Sequence, residues 1–163
     1  MYKERSKEIY KYSNISMNKK ARIDTYKTIY PVHIVVANKY VTLKDLQKLY
    51  TYYNDAELEE TTMDPIATTS KCKRKSDGRY VMLVKFNGSN KIEGTNKRLD
   101  LINTICHESL HCLYDIYEFI YQNVNFEDCN EHAAYLIGYI AECIYKTLMN
   151  IDDKPKRKSN KHE

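Results

Sequence analysis

The chain has 163 residues, a formal net charge of +4, 29% charged side chains and five cysteines. That length holds one domain with a modest core, and the absence of any run of about 18 apolar residues excludes a membrane-spanning helix and a membrane partner. Five cysteines is an odd number with no Cys-x-x-Cys pair among them, which argues against a disulfide framework and for a reducing, cytoplasmic setting.

Residues 1–30 read as a basic arm rich in Tyr and Lys with weak periodicity, without the charged-then-apolar pattern of a signal peptide. Six Lys/Arg face two Glu in the first 20 residues, and five face one in residues 154–163, so the ends are basic and the body mildly acidic. Such runs are most simply solvated faces. No base-reading motif accompanies them, so nucleic acid is not expected as a partner. Residues 151–163 read as a basic tail beyond the domain of residues 31–150.

Within that domain, Val32 to Ala37 is apolar and β-branched between Pro31 and Asn38, which predicts a buried strand with His33 as a structural residue. Thr42-x-x-Asp45 has the spacing of a capping box ahead of Leu43, Leu46, Leu49, Tyr50 and Tyr53, an amphipathic helix expected to run to about Asn54. Acidic residues 55–64 are expected to form a loop. Ala67 to Lys75 and Arg79 to Phe86 flank Asp77-Gly78, a hairpin signal. Leu99, Ile102, Ile105, Cys106, Leu110, Leu113, Ile116, Tyr117 and Ile120 then recur at three-to-four spacing along one long helix. A loop near Gln122 to Glu127 is expected to return a second helix alongside it. The sum is an α+β fold: a small mixed sheet of strand, helix, strand and hairpin, covered by two long helices.

Chemistry enters at His107-Glu108-Ser109-Leu110-His111. Histidines four apart share a helix face, so both imidazoles reach one metal ion, while the adjacent glutamate serves a metal-activated water as base. Glu131 follows His111 by 20 residues, and two histidines with one glutamate form the ligand set of a catalytic zinc, one ion per chain. The same Glu131 also fits a capping box with Asp128, in which it only starts a helix. Tyr135 lies four residues beyond Glu131 on the same face, and is the first candidate for an oxyanion donor or a partner of His107. Cys106 and Cys112 flank the motif but point off the histidine face, which suits small core residues.

The spacing resembles the gluzincin pattern of thermolysin-type zinc metallopeptidases, in which the glutamate of an Asn-Glu pair, here Asn130-Glu131, is the third ligand. Closer still is a group of small phage- and prophage-encoded proteins that share the His-Glu-x-x-His run and a final Glu-x-x-Ala-Tyr-Leu-x-Gly-Tyr-Ile helix. Here that helix reads Glu131, then Ala134 to Ile140, and the likeness covers about residues 31–149. The resemblance implies a zincin-like fold and a metallopeptidase in the cytoplasm of a host cell. By it, a protein or peptide substrate is cleaved with His107, His111 and Glu131 on zinc and Glu108 as base, and one arm of the hairpin is the substrate platform. The thermolysin-type Asp four residues after the ligand glutamate is replaced by Tyr135. Another reading of the same features is a catalytically silent zincin-like module that engages a host or phage protein.

Overall fold

The computed structural model describes residues 20–60, 65–88, 97–122 and 131–152. The elements run β1 (Ile23–Lys27), β2 (His33–Ala37), α1 (Leu43–Leu49), β3 (Tyr50–Tyr52), β4 (Ala67–Arg74), β5 (Tyr80–Phe86), α2 (Lys97–Phe119) and α3 (Glu131–Met149). The architecture is α+β, with three helices around one mixed five-stranded sheet of order β1-β2-β5-β4-β3. Only β2 and β5 pair in parallel, joined by a crossover through α1, β3 and β4. Expectations for residues 1–19, for Asp128 to Asn130 and for residues 153–163 lie outside the described residues, as does most of the loop between α2 and α3.

Strand alternation sorts the core into two layers. Ile34, Val36, Met82, Val84 and Phe86 face α2 and α3, where they meet Ile105, Leu113, Ile116, Leu136, Ile140 and Ile144. Their neighbours Val35, Ala37, Val81, Leu83 and Cys72 face the other way, onto Leu46 of α1, Tyr50 and Leu58. With both faces covered, β2 and β5 are apolar through Ile34 to Ala37 and Val81 to Val84, which is why these stretches read as continuous apolar runs.

The helix directions follow from side-chain partners. Thr69 meets Glu108 and Lys71 meets Glu118, so α2 runs in the direction of β4. Tyr139 meets Lys27 and Thr147 meets Asp24, so α3 runs against β1. Because β1 and β4 point the same way through the pairings between them, α2 and α3 are antiparallel.

Two elements differ from the sequence expectations. The helix opening at Thr42 has its full capping box, with the Asp45 amide donating to Thr42 Oγ1 and the Thr42 amide to Asp45 Oδ2, but it stops at Leu49. Tyr50 is buried and opens β3, whose pairing with Arg74 to Cys72 outweighs the apolar spacing that would have carried the helix to Asn54. Residues 23–27, which show no periodicity of their own, form edge strand β1. Its anchor is Arg22, which donates to Asp24 Oδ2 at 2.5 Å, Asn150 Oδ1 at 2.5 Å, Asp152 Oδ1 at 3.1 Å and the Ile151 carbonyl at 3.2 Å.

Candidate active site

Helix α2 decides where each motif residue points. At 100° per residue its buried stripe runs through Ile105, Glu108, Ser109, Cys112 and Ile116, facing the sheet. His107 and His111 fall on an exposed flank, and their Nε2 atoms stand 3.0 Å apart with the rings edge to face. At that separation the two imidazoles are in hydrogen-bond contact, Nε2 to Nε2, on the exposed side of the helix. The expected coincidence of the two histidines on one face is thus present.

Glu108 takes the other direction. Only 4% exposed, it is turned beneath the helix, where its Oε2 accepts from Thr69 Oγ1 of β4 at 2.7 Å. Two turns further along, Asp115 is half-buried, and burial raises its pKa against the opposing effect of Lys71. Lys71 Nζ lies 3.8 Å from Asp115 and 2.9 Å from Glu118, and this pairing raises the lysine's own pKa. A polar seam of Thr69, Glu108, Lys71, Asp115 and Glu118 therefore joins α2 to β4 beside the histidine flank.

Glu131 and Tyr135 stand apart from that flank. Glu131 is the first residue of α3 and exposed, on the side opposite the buried stripe of Ala133, Leu136, Ile140 and Ile144. Helix α2 continues eight residues past His111, about 12 Å at 1.5 Å per residue, before the chain returns as α3. Tyr135 is 76% exposed and lines a cavity of about 370 Å³ with Tyr139, His132 and the turn at Thr28 to Tyr30, on the β1 side of α3. Tyr139 donates to the Lys27 carbonyl at 2.8 Å in the same place. Among the described residues, no three His, Cys, Asp or Glu side chains are grouped to hold a metal. Of the expected ligand set, the histidine pair is what the described residues bring together.

The flanking cysteines divide. Cys112 is fully buried and its thiol is pushed up by burial, as a core residue's should be, whereas Cys106 is exposed and not part of the core. Leu99, Ile102 and Leu110 are also exposed, so the buried face of α2 is rotated toward Cys112 relative to the apolar spacing. The polar partner Thr69 was not legible in the sequence; alternation within β4 puts it on the helix side, but nothing local pairs it with residue 108.

The two arms of the hairpin differ in their place in the sheet. Strand β5 is interior, between β2 and β4, while β4 has β3 beside it only from Cys72 to Arg74, with the Tyr53 amide donating to the Lys71 carbonyl. Among the described residues, Ala67 to Ser70 have no strand on their outer side. No family model, curated protein or solved structure matches the chain, and no helix among the described residues is long and apolar enough to cross a membrane.

Proposed function

We propose that the chain is a zinc-dependent metallopeptidase of phage or prophage origin with a zincin-like fold, hydrolysing a peptide bond. The observation that carries this reading is the exposed pair His107 and His111, 3.0 Å apart within the only His-Glu-x-x-His run of the sequence. Supporting it is the stretch Ala67 to Ser70 of β4, which among the described residues has no strand on its outer side, the kind of edge on which an extended peptide adds as a strand.

Zinc bound there would supply Lewis acidity, polarising a carbonyl and acidifying water. The chain's own residues divide the remaining work. His107 and His111 would hold the ion through their ring nitrogens, and Glu131 would complete the ligand set from the exposed side of α3. Glu108, released from Thr69, would take a proton from the attacking water and return it to the leaving amine. Tyr135 would donate to the developing oxyanion. The reading thus requires three displacements, of Glu131, of Glu108 and of Tyr135. Glu108→Gln should keep zinc and abolish hydrolysis of a peptide substrate, while His107→Ala should lose both; hydrolysis that survives Glu108→Gln rules the mechanism out.

A second reading has its own observation. Glu108 is buried on Thr69 and Glu131 sits on a different helix face, an arrangement that suits a zincin-like module binding a host or phage protein without cleaving it. A biological effect retained in full by Glu108→Gln would select it.

A further inference from the structure

We propose that the end of the sheet carrying His33, Arg74, Arg79 and Lys27 is a binding site for a phosphate-class oxyanion. This site lies on the α1 face of the sheet, opposite α2, and does not rest on the metallopeptidase reading. Register brings the four groups together: Lys27 pairs with His33 across β1 and β2, His33 with Val81 across β2 and β5, and the Arg74 amide with the Arg79 carbonyl at the hairpin.

The contacts within the cluster do not satisfy one another. Arg74 Nη2 lies 3.1 Å from His33 Nδ1, and Arg79 Nη1 lies 3.4 Å from His33 Nε2. A guanidinium only donates, and a neutral imidazole has one accepting nitrogen and one N–H. Whichever tautomer is present, only one of the two contacts is a hydrogen bond, and at the other an N–H faces an N–H. One of the two guanidiniums is therefore left without an acceptor on the ring. Among the described residues, Arg74 and Arg79, with Lys27 at the same end of the sheet, stand against one nearby carboxylate, Asp77, which is 3.5 Å from Arg74 and 3.6 Å from Arg79. Asp77 balances one of them, leaving an excess of positive charge. Both guanidiniums are partly solvated, Arg79 by 44% of its side chain, so a ligand reaches them from outside.

An oxyanion with several acceptor oxygens resolves each of these features at once. One oxygen accepts from the imidazole N–H and the guanidinium that faces it, another accepts from the second guanidinium, and the negative charge offsets the excess. The planar fork of arginine matches phosphate oxygens in pairs, which ammonium groups do not. The ligand is either free phosphate or the phosphate of a monoester.

The test is a titration of the full chain, followed by the histidine side-chain NMR signals at constant ionic strength. Inorganic phosphate forms one arm and phosphoserine the other, with chloride as the control anion. Saturable movement of the His33 ring signals with either ligand is expected, and the arm that binds more tightly identifies the source. Arg79→Gln should weaken binding at least about tenfold, the worth of one charge-assisted hydrogen bond. Arg79→Lys should recover only part of it, since the charge returns without the fork. Lys44→Gln, an exposed change on α1, should bind as wild type. Absence of saturable movement in both wild-type arms overturns the proposal, as does wild-type affinity in both Arg79 variants.

Discussion

Glu108 sits next to His107 in sequence and on the far side of it in space, because one residue of helix turns the side chain by 100° into the sheet. There it depends on Thr69. Replacing Thr69 with Val keeps the shape and removes the donor from a buried carboxyl, so stability should fall by about 1–3 kcal/mol in urea unfolding; a change within error would show that the contact contributes nothing. His33 gives a pH signature. Burial first, then Arg79, Arg74 and Lys27, hold its pKa below the usual value of 6.5, with Asp77 alone opposing. The unfolded chain therefore takes up a proton that the folded chain resists, so stability is fully present above pH 6.5 and declines as pH falls below it. Melting temperature should drop between pH 7 and pH 5 more steeply in wild type than in His33→Gln, and equal slopes would contradict the assignment. At this scale the sequence was readable where residues lie four apart on one helix, as His107 and His111 do. It was silent where the partner lies on another element, as for Thr69 and Glu108 or His33 and its arginines.

Secondary structure was legible where the signal is local and chemical. Thr42 and Asp45 announce the start of α1, and Thr42→Ala should cost about 0.5–2 kcal/mol by removing the hydroxyl that accepts from the Asp45 amide. Asp77-Gly78 announces the hairpin. Gly78 has φ +68° and a Cβ there would meet nothing within 4 Å, so Gly78→Ala should cost about 1–2 kcal/mol from backbone strain alone, measured by chemical denaturation. The end of α1 was not legible, since Tyr50 and Tyr53 keep helical spacing and are withdrawn from it only by the pairing of β3 with β4. The buried face of α2 was misjudged for a similar reason. Leu99, Ile102 and Leu110 fit a helical stripe, but the sheet lies on the side of Glu108 and Cys112, and position relative to the sheet outranks side-chain type.

Across the whole molecule, the mixed sheet follows from two continuous apolar runs, β2 and β5, that can only sit where both faces are covered. Edge strand β1 could not be read, because Arg22 anchors it to residues 128 to 130 positions away. The same long-range dependence governs the candidate site. Sequence spacing fixes the histidine pair, while the position of Glu131 depends on how far α2 runs before α3 returns. The most direct measurement is the zinc content of purified, reduced protein beside His111→Ala and Glu131→Ala, each checked for folding by circular dichroism. The account expects one zinc per chain in wild type and loss of it in both variants. Wild-type protein without zinc, or zinc retained in His111→Ala, would contradict the metal site itself, and zinc retained in Glu131→Ala would remove Glu131 from it.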